Sequence, residues 1–391
     1  MTNPKPPIKC WATTNSVMID PQGHVRPCCK FEDHFGHIDE YDSIDSILNS
    51  DQYKLLRKRH SYGNITQACW RCRDSEARGY KSRRQSYETR FTDNDFQLDI
   101  SPGLYCNLKC RMCGPYNSTS WFGDWEKLAE MKIVNRFREP GINVYSMPDY
   151  DIDKIIQFIS KSDANFDIEL KGGEPLMTPA TKNLFERLSA HGNRIHLNMI
   201  TNGTYTPNWL PNSLKSFKKV TIGISADGVD SMYNYIRGDN KKYTWERFLK
   251  NVEWYKNMAK ALPIKLKFNF TVQNTNIHQL HKFSEAIEPA NTTWIIVNNP
   301  AFLTTKVIPN QAKEFILSEL GPWIDKIKDH YQYEDLKKIV DELTTNHKVD
   351  KELYKQYIIY NAGLDKLRDQ SLLEVAPHMV TRRGRIIYDS V

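Results

Sequence analysis

Between residues 96 and 300 the chain alternates short apolar runs with longer amphipathic ones. The runs FQLDIS (96–101), FDIELK (166–171), IHLNMIT (195–201), KVTIGIS (219–225), KLKFNFTV (265–272) and TWIIVN (293–298) predict β-strands. The stretches between them, DIDKIIQFIS, TPATKNLFERLSA, YTWERFLKNVEWYKNMAK and NIHQLHKFSEAI, carry apolar residues at helical spacing. Several open on Thr, Asp or Asn, whose side chains can cap free helix N–H groups. Six strand–helix repeats predict an α/β fold with a parallel sheet covered by helices, and functional residues then belong in loops at the carboxyl ends of the strands. CNLKCRMC follows the first strand, GGEP the second, TNG the third, SADG the fourth, and Asn298 and Asn299 the sixth. Scattered decoys would not choose one rim of the sheet.

Outside this region the pattern changes. Residues 1–90 hold short strand-like pieces (SVMID, HVRPC), a turn at DPQGH and one helix, DSIDSILNSDQYKLLRKR, while residues 305–391 read as helices ending in a basic tail, VTRRGRIIY, whose charge run is a solvated face. The expected division is an amino-terminal cysteine-rich α+β domain (1–90), a catalytic domain (91–304) and a helical extension (305–391), well within the room that 391 residues provide. The opening MTNPKPPIKC lacks the apolar core of a signal peptide, and no run reaches the roughly 18 apolar residues of a membrane span. A cytoplasmic protein is expected, with no membrane partner. In that reducing compartment the eight cysteines point to metal or catalytic roles rather than disulfides. All eight precede residue 114. The net charge of +7 permits an anionic partner, yet Lys and Arg are dispersed among 47 acids, which disfavours nucleic acid.

Cys106, Cys110 and Cys113 form C-x3-C-x2-C in a polar loop that ends in Gly-Pro, a poor place to bury small hydrophobes. A structural zinc site usually takes four ligands, whereas three thiolates on a four-iron cube leave one iron open to a ligand with nitrogen and oxygen donors. Here the sequence resembles the radical S-adenosylmethionine (radical SAM) superfamily, over roughly residues 96 to 300. The resemblance implies a partial (β/α)6 TIM-like barrel, with Cys106, Cys110 and Cys113 on a catalytic [4Fe–4S] cluster whose open iron chelates SAM. Met112 stands where the family usually has an aromatic residue near the adenine, and a thioether can also pack on a ring edge. Gly172, Gly173, Glu174 and Pro175 match the segment that binds the SAM amino group, its glycines letting backbone approach the ligand. Ser225 in SADG resembles a SAM-contacting serine of the peptide-modifying and sulfatase-maturing branch. Arg237 stands where that branch sets an arginine on the SAM carboxylate, a match of guanidinium fork to carboxylate. Asn202, Asn269 and Thr271 read as structural.

Of the remaining cysteines, Cys69 and Cys72 form C-x2-C, which with Cys10 and one of Cys28 or Cys29 makes a four-thiolate site. Adjacent residues in an extended chain point to opposite sides, so Cys28 and Cys29 should not both ligate; Cys28 is placed in the expected set, and the choice between it and Cys29 stays open. This segment resembles a SPASM/twitch accessory domain, in the twitch form that holds one auxiliary [4Fe–4S] cluster, although that domain follows the barrel in most relatives. His34 and His37 keep a mixed Cys/His zinc site as the rival. The resemblance implies an oxidoreductase that cleaves SAM reductively to a 5′-deoxyadenosyl radical and abstracts hydrogen from a substrate. It also implies a reductant such as flavodoxin or ferredoxin, and a peptide or protein side chain as substrate. The alternatives are a small-molecule substrate, or a non-enzymatic cysteine-rich protein that binds zinc or nucleic acid.

Overall fold

A computed structural model of the chain describes residues 6–77, 79–138, 145–238, 241–287, 291–344 and 349–391. Its strands are β1 (Ser16–Ile19), β2 (Val25–Arg26), β3 (Asp95–Ile100), β4 (Asn165–Leu170), β5 (Ile195–Thr201), β6 (Lys219–Ser225), β7 (Ile264–Val272) and β8 (Thr292–Ile296). They form one sheet in the order β2-β1-β3-β4-β5-β6-β7-β8. All neighbours are parallel except β1 and β2. The six strands from β3 onward lie within one or two residues of those predicted and follow chain order, with helices between them. This is the winding of a barrel that stays open at the β2 and β8 edges.

Alternate residues of each strand bury one face under the helices: Phe96, Leu98 and Ile100 on β3, Phe166, Ile168 and Leu170 on β4, Val220, Ile222 and Ile224 on β6. Helix Asp149–Lys161 covers part of that face with Ile152, Ile155, Phe158 and Ile159, a spacing of three and four. Asp149 and Asp151 in its first turn and Lys161 in its last complement the helix dipole. The opposite face, which a closing barrel turns inward, carries polar and charged residues.

Two expectations change in residues 1–90. The single helix over DSIDSILNSDQYKLLRKR is two, Ile44–Leu48 and Asp51–Ser61. Ser50 interrupts it because its hydroxyl accepts the Tyr53 N–H at 3.4 Å and caps the second helix. The strand pieces do form, but β1 pairs with β3, so the amino-terminal segment continues the main sheet. Helices Trp70–Ala77 and Arg83–Arg90 were not predicted.

The carboxyl-terminal segment is helical as expected, with Asn310–Ile324, Tyr333–Thr344, Lys351–Arg368 and Arg382–Asp389. The last contains the basic tail and leaves Arg382, Arg383 and Arg385 exposed. Among the described residues no helix is long and apolar enough to cross a membrane.

Candidate functional site

The loop after β3 and the GGEP loop after β4 are laced backbone to backbone. The Gly173 N–H donates to the Gly103 carbonyl at 3.0 Å and the Glu174 N–H to the Tyr105 carbonyl at 2.6 Å, beside Cys106. Gly172 adopts φ +129°, and a Cβ on Gly173 would stand 2.3 Å from the Tyr105 carbonyl oxygen. The glycines therefore serve a close approach to the cysteine loop itself. Glu174 is fully buried. Its carboxylate accepts the Thr201 hydroxyl (2.7 Å), the Asn202 N–H (2.6 Å) and the Leu176 N–H (3.2 Å), tying GGEP to TNG after β5. Burial pushes this carboxyl up to about 7 against those donors. Pro175 opens the buried turn that follows.

Cys106 and Cys110 are buried together with Leu108, and Met112, Cys113 and Tyr243 pack on the group. The Cys110 and Cys113 thiols hydrogen-bond each other, and that bond is the main cause holding Cys110 down to about 7, helped by the Arg237 guanidinium. The same bond pushes Cys113 well up, while burial and the neighbouring Cys110 push Cys106 up to about 12. Three sulfurs crowded in an apolar pocket oppose simultaneous ionisation, a conflict that metal–thiolate bonds relieve. Among the described residues no three His, Cys, Asp or Glu side chains converge as the ligands of one ion would. A cluster, which offers a separate iron to each thiolate, does not need them to.

Ser225 ends β6 and pairs in register with Asn269 on β7. Arg237 is held by Asp227, whose other oxygen accepts the Thr271 N–H at 2.6 Å and whose carbonyl accepts Asn276 Nδ2 at 2.9 Å. Asp227 lies inside SADG, yet its role of aiming Arg237 toward the cysteines escaped the sequence reading. Asn202 reaches Cys106, with Nδ2 to Sγ 3.8 Å, and Asn107 at 2.9 Å.

Arg111, between two of the three cysteines, was missed altogether. Its guanidinium is buried, bonding the Tyr235 carbonyl (2.9 Å), Asn361 (3.0 Å), Gln370 (2.9 Å) and Asp365, and lies 3.5 Å over the Tyr235 ring. The Arg111 N–H donates to Ile236 (2.8 Å), and its carbonyl accepts Tyr360 Oη at 2.9 Å. Trp121 Nε1 donates to the Cys110 carbonyl at 3.1 Å. Arg111 thus joins the cysteine loop, the turn carrying Arg237 and helix Lys351–Arg368. The only local hint was a cation placed between cysteines.

The amino-terminal cysteines also come together. Cys10, Cys28, Cys69 and Cys72 line one small hollow with Phe31, His60, Arg84 and Tyr87 among its walls. Cys69 ends a 3₁₀ turn and Cys72 lies in the first turn of helix Trp70–Ala77. Burial, then the neighbouring Cys69, pushes Cys10 up to about 12; burial first and then Cys29 push Cys28 well up. Cys29 is absent from the hollow's lining and is felt electrostatically by Arg83 and Lys171. His34 and His37 stand apart from the hollow: His34 stacks on His24 with centroids 4.3 Å apart, and His37 caps a turn through the Asp39 N–H.

Residues 100–272 match the family described as Radical SAM superfamily, and residues 10–73 match the one described as Iron-sulfur cluster-binding domain (SPASM). No curated protein sequence matches the chain. Among solved structures, anSMEcpe with bound AdoMet is 16% identical, with 60% of this chain and 59% of that chain covered and a TM-score of 0.44. Streptococcus suis SuiB bound to precursor peptide SuiA is 15% identical, with 80% and 67% covered and a TM-score of 0.39. The radical S-adenosylmethionine methyltransferase TsrM from Kitasatospora setae is 12% identical, with 38% and 30% covered and a TM-score of 0.29.

Proposed function

We infer, for a chain that belongs to the radical SAM superfamily and carries a SPASM-type amino-terminal domain, reductive cleavage of SAM and hydrogen abstraction from a peptide or protein side chain. The cofactors of such an enzyme are a [4Fe–4S] cluster, SAM and auxiliary iron–sulfur clusters. The observation that carries the reading is the convergence of Cys106, Cys110 and Cys113 at the sheet's carboxyl rim, with GGEP laced to their loop and the Arg237 charge beside them. Bound there, the cluster supplies the electron that breaks a carbon–sulfur bond of SAM.

The residues around it have separable tasks. The three cysteines hold three irons. Glu174 shapes the GGEP backbone that faces the SAM amino group, and Asp227 aims Arg237 at the carboxylate. Ser225 would contact SAM, and Met112 would pack near its adenine. Cys10, Cys28, Cys69 and Cys72 are the natural ligands of the auxiliary cluster, a complete thiolate set in one hollow. A peptide substrate is the choice that fits a SPASM-type domain and an inward sheet face reachable from solvent at Lys171, His196 and Thr271.

The test is anaerobic reconstitution with iron and sulfide, followed by dithionite and SAM. Roughly eight irons per chain and formation of 5′-deoxyadenosine and methionine are expected. A Cys106/Cys110/Cys113→Ala triple variant should retain about four irons and form neither product. Unchanged SAM cleavage in that variant would refute the reading, and stoichiometric zinc in place of the second set of irons would replace the auxiliary cluster.

A further inference from the structure

The inward face of the sheet divides by charge. On the β3–β4 side three acids have cations: Asp99 pairs with Lys171, Glu169 with Arg83 (3.6 Å) and Lys171 (3.5 Å), and Asp167 with Arg90 (2.7 Å) and His196 (3.1 Å). On the β6–β7 side the register sets Lys265 opposite Thr221 and Lys267 opposite Gly223, so both lysines share the face of Asn269 and Ser225. Lys219 falls on that face by the same alternation. Among the described residues none of these three lysines has a carboxylate within ion-pair distance.

Lys267 is half-buried, and its ammonium is pushed below the ordinary range by burial first and then by Lys265, Arg90 and Lys219. Lys219 and Lys265 are exposed and Lys267 half-buried, so three lysines without a carboxylate share this wall, beside an Arg90 already bound to Asp167, and like charges gathered on one face repel unless an anion joins them. A second feature points the same way. Asn198 pairs in register with Thr221, and its buried Nδ2 has no hydrogen-bond partner, a donor left over in the layer that contains Lys265.

We propose that this wall binds an anionic group of the substrate, a carboxylate or a phosphate, through Lys219, Lys265, Lys267 and Asn198. Lys267 lies two residues, about 7 Å along the strand, below Asn269 and Ser225. An anion held there leaves the attached carbon skeleton extending toward the carboxyl rim. The assignment deepens the proposed function and rests on its placement of SAM beside Ser225.

The experiment uses the full-length chain with its metal centres, purified anaerobically. Inorganic pyrophosphate and a hexaglutamate peptide are titrated calorimetrically at about 0.1 M salt into the parent, Lys267→Met and Lys215→Gln. Lys215 is an exposed lysine whose ammonium bonds Asn212 at 3.0 Å, away from the wall. The parent should bind at least one probe, Lys267→Met should weaken it roughly tenfold, and Lys215→Gln should bind as the parent does. Preference for pyrophosphate identifies a phosphate-bearing substrate, and preference for hexaglutamate a carboxylate-bearing one. Saturation by neither probe, or equal affinity in all three proteins, overturns the assignment. SAM cleavage under dithionite, measured on the same samples, separates the two readings: an anion wall without SAM cleavage removes the proposed function alone, and SAM cleavage without anion binding removes this inference alone.

Discussion

The two cysteine sites are built in opposite ways. Cys106, Cys110 and Cys113 come from eight consecutive residues, yet their loop is gripped by parts of the chain far away, through Arg111 to Asp365 across 254 positions. Cys10, Cys28, Cys69 and Cys72 are spread over a longer segment, but their hollow is walled mostly by that segment itself. Their electrostatics differ accordingly. Burial raises thiols in both, Cys106 in the first and Cys10 in the second each to about 12, but only in the first does a sulfur–sulfur hydrogen bond, helped by the Arg237 charge, bring one thiol, Cys110, down to about 7. On the proposed reading, a three-thiolate site has to keep its vacancy open and correctly aimed, which calls for outside support. Four thiolates can close around their own metal.

The largest effect that sharpens this contrast is loss of a whole site. Cys28→Ser should lose about half the iron, roughly four atoms of eight, while Cys29→Ser, whose sulfur lies outside the hollow, should keep all of it. Iron and sulfide assays decide, and equal loss in the two variants would mean that the hollow misidentifies the ligand.

Next comes the clamp. Arg111→Met leaves Asp365 and Asn361 buried without their cation, at a cost of about 3–5 kcal/mol. Melting should drop accordingly, and iron retention should fall at the first site while the second stays loaded. Arg111→Lys restores the charge without the planar fork and should recover only part of the loss. Equal loss of iron from both sites would show that Arg111 stabilises the fold without positioning the first site.

The smallest effect is a pH dependence of the carboxyl-terminal buttress. His278 and His378 pack with centroids 4.6 Å apart, and the Phe315 ring lies against both. Burial is the main cause that holds His278 down to about 3 and His378 to about 4. His378, then Lys282 and His281, also lower His278, and Glu319 opposes the shift of His378. Because the folded values lie below the unfolded value of about 6.5, the unfolded state takes up more protons as pH falls. Stability is therefore lost progressively as pH falls below about 6.5, down to about pH 4 for His378 and about pH 3 for His278. About 3 kcal/mol should be lost between pH 6.5 and 4.5, allowing for the partial exposure of His378. Melting curves of a His278→Asn/His378→Asn variant should lose most of that slope, and an unchanged slope would assign it to other groups.

Much of this architecture can be read along the chain. Alternating apolar residues placed the strands β3 to β8 because their side-chain period is two and one face must be covered. That three cysteines share one loop, and that GGEP follows the next strand, needed no tertiary information because both are local in the chain. The helix break at Ser50 was less visible, since a capping serine competes with helix continuation through one local hydrogen bond. That β1 would join β3, and that helices Trp70–Ala77 and Arg83–Arg90 would form, depended on contacts that no short window contains.

By itself the sequence determined the α/β winding and the strand ends at which the cysteine and GGEP loops fall, because these follow from local periodicity and spacing. Only the tertiary structure decided that Cys28 rather than Cys29 faces the hollow, that Asp227 aims Arg237, and that Arg111 clasps a helix from the far end of the chain. Each of these choices depends on a buried polar group finding its partner, and such partners are set by proximity in space rather than by order along the chain.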